Sequence, residues 1–512
     1  MSDEIFSYDS VPYPSYTFPQ THPDRLATLG RLHGIPAPSP ENCRVLEIGC
    51  GDGTNLISFA YTLPNSSFVG IDLSEVHIAK ASETAQTVGT RNVEFIKADV
   101  CDVGVSTLGK FDYIIAHGLF SWVPDVVRPE ILRIYSECLA ENGVGYISYN
   151  AYPGCRIREI TSGMMRFFTN DIDDPAMKVA DGISFLDQIT QAAEKNSLFQ
   201  SILKLELDQI QDRSVSNVFH DDLSQFNQPL YFHEFANMIA PFGLQFLSES
   251  EPTASNIGKL SAEARELLSS VSDDILKFEQ YLDFVTCRRF RTTLVCRNGN
   301  HIDRNDFASH LNDLYISSQI NCDESDPVIN DDSPVRFVGA KGATLTINHP
   351  LTKSVLVRMH VEWPGGLTFD ELAEAAEAEY GSSIASKSEK LRTSDYLMQM
   401  YWGGFIKLGT VRPPFARRAG EFPEVSKFAR WQIENGSESV STLVGKNLEA
   451  GDEFLRLLML LLDGTKDRKA LGVKMMEFVQ VPEHEHPAFA AQLPNILEEQ
   501  LEKLAAAGLL LA

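Results

Sequence analysis

The sequence is short of positive charge for its size. Only 44 Lys and Arg stand against 70 Asp and Glu in 512 residues, so the formal net charge at pH 7 is −26. Proteins bind nucleic acids and anionic membranes largely by meeting phosphates with Lys and Arg, and this charge balance opposes such binding. We therefore expect neither a nucleic-acid partner nor a membrane partner.

Long apolar runs and paired cysteines are also missing. The densest apolar run, Phe454 to Leu462, is interrupted by Arg456, whereas a membrane-spanning helix needs about 18 or more apolar residues. The first residues, MSDEIF, are acidic where a secretory signal is basic. None of the eight cysteines stands in a C-x-x-C pair, which favours free thiols. Together these features predict a cytoplasmic protein.

A metal site is not predicted either. The pair His484 and His486 lies in a loop rich in Pro and Glu, without the further ligands that a tetrahedral site needs. We interpret the pair as solvated side chains.

The segment after Cys43 alternates between strand-like and helix-like patterns. The short apolar runs are CRVLEIG, SSFVGIDL, NVEFIKADV, FDYIIAHG and GVGYISYN, and helical patterns separate most of them. This alternation is typical of a doubly wound α/β domain with a mainly parallel sheet, whose ligands bind at the carboxyl ends of the strands. A helical block at about 156–225 precedes two more strands, LQFLSESE and FRTTLVCR. We interpret it as an insertion within one α/β domain.

Composition and pattern divide the whole chain into four predicted segments. The α/β domain occupies 1–300, and the polar, acidic residues 301–335 are predicted to be a linker. Three helical patterns and the strand pair FIKLGTVRPP in 336–416 are typical of a winged-helix-like domain. Residues 417–512 are predicted to form a mainly helical C-terminal domain that is also winged-helix-like.

The strongest functional signal is the segment EIGCGDGTN, between the first strand and the first helix. The glycines at Gly49, Gly51 and Gly53 let the backbone pass close to a ligand. The spacing E-x-G-x-G-x-G, which begins at Glu47, differs from the G-x-G-x-x-G of NAD-binding proteins. Asn55 closes the segment and belongs to the same candidate site.

Two more acids follow the next two strands. Asp72 is placed to accept both hydroxyls of a ribose, and Asp99 is placed to meet an exocyclic adenine amine. With Glu47 they form three acids on successive strand ends, which suit a cationic adenosine ligand because a pyrophosphate would be repelled. Leu73 and Val100, which follow two of these acids, complete the predicted cofactor pocket.

These motifs resemble those of class I S-adenosylmethionine-dependent methyltransferases. The resemblance implies a seven-stranded Rossmann-like sheet, methyltransferase activity and S-adenosyl-L-methionine as cofactor. It assigns Glu47 and the three glycines to the methionine and backbone side of the cofactor, Asp72 to the ribose and Asp99 to the adenine. The segment FRTTLVC matches the antiparallel last strand of that fold.

Longer motifs resemble a narrower group. HGLFSWVP, ISYNAYPG, DFVTCRRFRTTLVC and LLDGTKDRKAL look like bacterial methyltransferases with a methyltransferase regulatory region, and within them like rickettsial protein-lysine methyltransferases. The resemblance implies a lysine side chain of a protein as acceptor and a homodimer through the helical insertion. Two alternatives remain: a small-molecule methyltransferase whose C-terminal domains cover the pocket, and a non-catalytic cofactor-sensing protein.

Candidate residues for the methyl acceptor follow the fourth and fifth strands. Methyl transfer to an amine needs a free lone pair and an aligned nucleophile. Tyr149 and Tyr152 are predicted to orient the amine, and Asn150 to accept its hydrogen bond. Trp122 is predicted to wall the passage by a cation–π contact, although these aromatic residues also suit simple packing of the loop. His117 is predicted to pack against the cofactor rather than to act as a base.

The N-terminal segment YTFPQTHPDR resembles the part of related enzymes that closes over the cofactor. The resemblance implies that His22 or Arg25 faces the cofactor carboxylate. The alternative is that Pro23-Asp24-Arg25 only begins a helix, for which Thr21 is a plausible N-cap.

Overall fold

A seven-stranded mixed sheet is the largest element of the structure, a computed structural model that describes residues 11, 13, 15–224, 226–324, 327–340, 342–381, 385–412, 415–478, 484 and 486–511. The strands are β1 (Arg44–Ile48), β2 (Ser67–Asp72), β3 (Val93–Lys97), β4 (Phe111–Ala116), β5 (Leu139–Asn150), β6 (Leu244–Glu249) and β7 (Phe290–Arg297). Their order in the sheet is β3-β2-β1-β4-β5-β7-β6, and only β7 runs antiparallel to its neighbours. The predicted fold class is confirmed.

Buried side chains cover both faces of this sheet, because successive residues of a strand point to opposite sides. Val45 and Tyr113 belong to one buried cluster, and their chain neighbours Leu46 and Ile114 belong to another. The helices between the parallel strands supply much of the packing. In chain order the first helices are α1 (Pro23–Leu32), α2 (Thr54–Thr62), α3 (Glu75–Val88), α4 (Val105–Leu108) and α5 (Arg128–Cys138).

The helical insertion lies between β5 and β6 and has a hydrophobic core of its own. Its helices are α6 (Gly154–Phe168), α7 (Pro175–Ala192), α8 (Leu198–Gln211) and α9 (Val215–Asp222). Asp174, Ser197 and Ser214 begin the last three helices as N-caps whose side chains accept backbone N–H bonds, each worth about 1 kcal/mol. Met165, Leu186 and other apolar side chains of these helices form a separate buried cluster.

An arginine on β7 organises the edge of the sheet beside the insertion. The helices there are α10 (Phe232–Ile239), α11 (Ala262–Ser269) and α12 (Ile275–Thr286). Arg291 is fully buried and forms ion pairs with Glu249 at 2.7 Å, Glu279 at 3.0 Å and Asp283 at 2.8 Å. A buried cation needs such partners, because loss of one side of a buried pair costs about 3–5 kcal/mol. The network fastens β7 to β6 and α12.

Between β7 and the C-terminal part, the described residues form small sheets and several helices. The elements are β8 (Tyr315–Ser317), β9 (Asn321–Cys322), β10 (Val335–Val338), β11 (Thr344–Ile347), α13 (Pro350–Glu362), β12 (Leu367–Thr368), α14 (Phe369–Tyr380), α15 (Lys387–Gly403) and β13 (Lys407–Gly409). The segment 301–335, predicted to be a linker, contains β8, in which Ile316 is buried. β8 pairs with both β12 and β13.

The prediction that FIKLGTVRPP forms a local hairpin is wrong. The structure has one strand there, β13, and its partner is the distant β8. The acidic composition around β8 led to the prediction of a linker. The strand there is short, and its pairing is set by tertiary packing. Pro413 and Pro414, predicted to end the pair, lie outside the described residues, and the four domain boundaries stay predictions.

The C-terminal part has its own core of aliphatic side chains. Its elements are α16 (Lys427–Glu434), β14 (Ser439–Ser441), β15 (Asn447–Glu449), α17 (Glu453–Leu461), α18 (Arg468–Phe478) and α19 (His486–Ala506). Leu458, Leu471 and Leu501 are fully buried in this core. Across the described residues, no helix is both long enough and apolar enough to cross a bilayer.

Candidate active site

The glycine-rich loop between β1 and α2 has a backbone that other residues rarely adopt. Gly49, Gly51 and Gly53 have φ angles of 73°, 54° and 74°. These values lie in the left-handed region, which glycine enters without the penalty paid by side chains. A Cβ at Gly51 would meet no atom within 4 Å, whereas a Cβ at Gly53 would collide with the Phe95 ring at 2.5 Å. The loop therefore packs tightly against neighbouring side chains at Gly53 and has free space beside Gly51.

Asp72, at the end of β2, fastens this loop. The Gly51 N–H donates to Asp72 Oδ2 at 2.8 Å, and the Ser74 N–H donates to Oδ1 at 2.9 Å. A carboxylate oxygen has two lone pairs, so each can accept a second bond, as ribose hydroxyls require. Leu73 is 39% exposed beside it and offers an apolar surface.

Glu47 is a buried acid whose hydrogen bonding is incomplete. Its Oε1 accepts a bond from Asn55 Nδ2 at 2.8 Å, but among the described residues its buried Oε2 has no partner. Burial raises the pKa of the Glu47 carboxyl to about 8. A cationic group placed at Oε2 would satisfy this oxygen and stabilise the carboxylate. The α-ammonium of S-adenosylmethionine is such a group, so the residues present fit this cofactor.

Asp99 and Val100 lie beyond the end of β3, next to β2 in the sheet. Both are partly buried, and Asp99 Oδ1 accepts the Cys101 N–H at 2.9 Å. Because β1, β2 and β3 are adjacent and parallel, the three acids that follow them lie along one edge of the sheet. Their assignment to ribose and adenine stays a prediction.

An N-terminal segment, residues 15–21, lies across the glycine-rich loop. The Phe18 N–H donates to Asn55 Oδ1 at 2.9 Å, and Asn55 Nδ2 donates to Thr21 Oγ1 at 3.1 Å. Ser15 Oγ donates to Asp52. Three hydrogen bonds of 2.7–3.0 Å join Thr17 to the side chain of Asn447 in the C-terminal part. The segment is thus held from both sides.

His22 and Arg25 follow this segment and contact other parts of the chain. His22 Nδ1 accepts the Asp24 N–H at 3.1 Å, so His22 and not Thr21 is the N-cap of α1. Arg25 Nη1 donates to Tyr401 at 3.3 Å. Both side chains line a cavity of about 850 Å³ that no residue of the glycine-rich loop lines. Nothing in this geometry supports the predicted contact with a cofactor carboxylate.

A second cavity, of about 510 Å³, opens at the carboxyl ends of β4 and β5. Three predicted residues line it together: His117, Trp122 and Asn150. The opposite wall comes from the helical insertion and β7, through Glu206, Gln209, Ile210, Arg158, Arg213, Asp221, Asp222 and Arg289. The charged groups of this wall pair with one another, for example Arg158 with Asp222 at 2.7 Å. This rim of the cavity is therefore polar, and its positive and negative charges balance one another through ion pairs.

Hydrogen bonds hold Asn150 in place and leave its side-chain oxygen, Oδ1, available. Its N–H donates to Ser121 Oγ and its Nδ2 donates to Asn227 Oδ1, both at 2.8 Å. Among the described residues, no donor binds its Oδ1. An amide oriented in this way can accept a hydrogen bond from an incoming amine.

His117 is partly buried between aromatic rings. Its Nδ1 lies 2.9 Å from the Tyr146 hydroxyl, and its ring centroid lies 3.9 Å from that of Phe18. Burial lowers the pKa of His117 to about 4. A base this weak is poorly matched to an alkylammonium group, which agrees with a packing role.

Tyr149 and Tyr152 do not line this cavity, contrary to the prediction. Tyr149 is 1% exposed and stacks on Phe235 with a centroid distance of 4.5 Å. It is next to Asn150 in β5, and neighbours in a strand point to opposite faces. The Tyr152 hydroxyl donates to Glu159 at 2.6 Å, and Arg156 covers its ring at 3.8 Å. Both tyrosines have structural partners instead of an open approach to substrate.

Sequence reasoning missed the far wall of the cavity. Glu206 and Asp222 line that wall, and Asn227 binds the Asn150 amide. All three lie on or just after the insertion and carry no motif that marks them. Their contacts with the sheet edge depend on how the insertion folds back, which local patterns do not reveal.

We expect Asp72→Ala to weaken S-adenosylmethionine binding by about 1–3 kcal/mol, since ribose hydroxyls lose a charged acceptor and the Gly51 N–H loses its partner. Calorimetric titration measures the change, with Asp102→Ala as an exposed carboxylate control. Unchanged affinity in Asp72→Ala would contradict the assignment. So would tighter binding of NAD than of S-adenosylmethionine to the unmodified protein.

Comparison with known families covers most of the chain. A family described as "Methyltransferase domain" matches residues 39–199, one described as "Predicted methyltransferase regulatory domain" matches 214–297, and one described as "PKMT, C-terminal winged helix domain" matches 421–509. The chain is 31% identical over 473 residues to an uncharacterized protein of Rickettsia prowazekii (strain Madrid E). That match covers 91% of this chain and 84% of the relative.

A solved structure is similar along nearly the whole chain. It is PKMT2 from Rickettsia typhi in complex with AdoHcy, with 26% identity and a TM-score of 0.86. The match covers 98% of this chain and 100% of that one. A further structure of PKMT2 from Rickettsia typhi matches equally well.

Proposed function

Because the chain belongs to the family of S-adenosylmethionine-dependent methyltransferases with a methyltransferase regulatory region, we propose that its methyl acceptor is a lysine side chain of a protein. The observation that carries the proposal is the likeness to PKMT2, which extends through the insertion and the C-terminal part. PKMT stands for protein lysine methyltransferase, so we propose the same kind of acceptor, a lysine side chain, for this chain.

The residues around the 510 Å³ cavity support an amine acceptor. S-adenosylmethionine supplies an electrophilic methyl group to the nucleophile. Asn150 Oδ1 accepts a hydrogen bond from the amine and turns its lone pair, while Trp122 provides an apolar wall beside it. Holding two reactants in line replaces a costly bimolecular encounter and supplies much of the rate.

The amine has to lose its proton before it attacks. A lysine ammonium in water has a pKa of about 10.4, so most of it is protonated at neutral pH. Burial disfavours the charged form and lowers this pKa as the side chain enters the cavity. His117, whose pKa is lowered to about 4, is not required as a base. Water at the polar rim takes the proton.

Labelled cofactor tests the acceptor class. The protein is incubated with S-adenosylmethionine that carries a radioactive methyl group and with a lysate of its own organism. Label in a protein band, followed by identification of methyllysine after hydrolysis, supports the proposal. Label confined to small molecules would favour the alternative acceptor, and Asn150→Ala in the same assay controls for methylation by lysate enzymes.

The helical insertion is the proposed dimer contact. Its surface carries large apolar side chains that are open to solvent: Phe167 is 85% exposed, Leu198 78% and Met177 58%. Exposed apolar clusters of this kind mark interaction surfaces. We expect a dimer at micromolar concentration and a monomer for Phe167→Glu, measured by light scattering. Val473→Glu, an exposed apolar position on α18, should leave the dimer intact, and a monomeric unmodified protein would contradict the proposal.

The predicted compartment remains the cytoplasm. All eight cysteines are free thiols in the structure, and five of them are buried. Unpaired cysteines are usual where the surroundings are reducing.

A further inference from the structure

The 850 Å³ cavity lies apart from both parts of the active site. It shares no lining residue with the 510 Å³ cavity, and no residue of the glycine-rich loop lines it. Its walls come from α1, the end of α2, β8, β13, the turn before β15 and the end of α19. Cavities of this volume typically take small molecules.

Positive side chains outnumber acidic ones in the lining, although the whole chain carries a net charge of −26. The cations are Arg25, Lys407, Arg412, Lys446 and Lys503, and the acids are Asp24 and Glu41. Asp24 is already engaged, because Oδ1 accepts bonds from Thr410 N at 2.6 Å and Thr410 Oγ1 at 2.7 Å. The cavity thus has an excess of positive charge that its own acids do not balance.

Two of the lysines lack an anionic partner. Arg412 pairs with Glu371 at 2.6 Å and Lys503 with Glu499 at 2.7 Å. By contrast, no carboxylate within the described ranges forms an ion pair with Lys407 or Lys446.

An aromatic ring lies beside the Lys407 ammonium and can stabilise it. Lys407 Nζ lies 4.9 Å from the centre of the Trp363 ring. The Lys407 side chain is exposed to the cavity, and partial desolvation by the cavity walls, with the charges of Lys446 and Arg25, lowers the pKa of Lys407 to about 7.

We propose that this cavity binds a small, multiply charged anion that bears phosphate or carboxylate groups, held by Lys407, Lys446 and Arg25. Lys407 and Lys446 repel each other because no described carboxylate pairs with either, and an anion between them converts the repulsion into attraction. Lysine and arginine bind such oxyanions through strong, charge-assisted hydrogen bonds. The three residues come from α1, β13 and the turn before β15, so the bound anion ties three distant parts of the chain together.

Calorimetric titration of the full chain with inorganic pyrophosphate and with citrate, at constant ionic strength, tests the proposal. We expect micromolar to submillimolar binding of at least one anion, weakened tenfold or more in the double variant Lys407→Gln/Lys446→Gln. The matched control Lys195→Gln/Lys204→Gln removes two exposed lysines of the insertion and should bind as the unmodified protein does. Binding of pyrophosphate but not citrate would show that the site selects phosphate groups. Equal binding of both would show that it selects negative charge irrespective of the chemical group.

A second measurement separates a lost site from a misfolded variant. Because the double variant removes mutual repulsion, we expect its melting temperature without anion to equal or exceed that of the unmodified protein. Titrations in buffers of different ionisation heat at pH 8 should also show proton uptake on binding, because an anion raises the pKa of Lys407. Binding of neither anion at 1 mM, or equal binding by the double variant, would overturn the proposal.

Discussion

We expect Asn150→Ala to lower the methylation rate about 100-fold while it changes S-adenosylmethionine affinity little. Ser121 binds the Asn150 backbone N–H, Asn227 binds its side-chain amide, and Asn150 lines the cavity. Loss of this acceptor lets the amine rotate away from the line of attack, and small misplacements of a nucleophile cost about two orders of magnitude in rate. Single-turnover rates and calorimetric affinities of the same preparations measure the two effects separately.

Two further variants sharpen this test. Tyr149→Phe should keep nearly full activity, since Tyr149 is stacked on Phe235 on the opposite side of β5. Asn227→Ala should reduce the rate less than Asn150→Ala, because it only releases the Asn150 amide group. Full activity of Asn150→Ala would show that the loop after β5 is scaffold and that another group aligns the acceptor.

We expect Glu47→Gln to weaken S-adenosylmethionine binding by roughly 3 kcal/mol, about 100-fold or more. Glu47 is buried, its Oε2 has no partner among the described residues, and a glutamine there presents no charge to an ammonium group. Breaking one side of a buried charge pair costs about 3–5 kcal/mol, part of which the amide recovers by hydrogen bonding. Calorimetry measures the loss, and Glu83→Gln, an exposed position on α3, serves as the matched control.

The same substitution should make the cofactor-free protein more stable at high pH. The pKa of Glu47 is about 8 in the folded chain against an ordinary value of 4.5, so the folded state holds this proton more tightly than the unfolded state does. The stabilisation is complete below pH 4.5 and is lost as the pH rises to about 8, by a few kcal/mol. Glutamine does not titrate and removes this loss. Thermal unfolding at pH 5 and pH 9 measures it, and equal pH dependence in both proteins would contradict the assignment.

Much of the fold could be predicted because its signals are local. The strand at Phe290–Arg297 has the bounds that the segment FRTTLVCR predicts. The spacing of the glycines after β1 likewise depends only on the turn that they form. Segments such as β8 were missed, since a short strand in acidic surroundings is stabilised by distant partners.

The sequence predicted the residues at the strand ends of the candidate site, but not the residues that distant segments bring to it. Strand periodicity could have separated Tyr149 from Asn150, because adjacent residues in β5 cannot both face one cavity. The positions of His22 and Arg25 depend instead on how residues far along the chain pack against α1. Asn227 becomes relevant only when the insertion folds back, so no local pattern marks it.

The hydrogen bonds between Thr17 and Asn447 span 430 positions of the chain and hold residues 15–21 across the glycine-rich loop. We expect a cofactor seated on that loop to leave when this segment lifts. Lifting it breaks these bonds, so the residence time of spent cofactor depends on a residue far from the chemistry. Opening steps of this kind often limit enzyme turnover. We therefore expect the C-terminal part to slow cofactor exchange, and a partner that loosened its turn at Asn447 to accelerate the cycle without touching the acceptor.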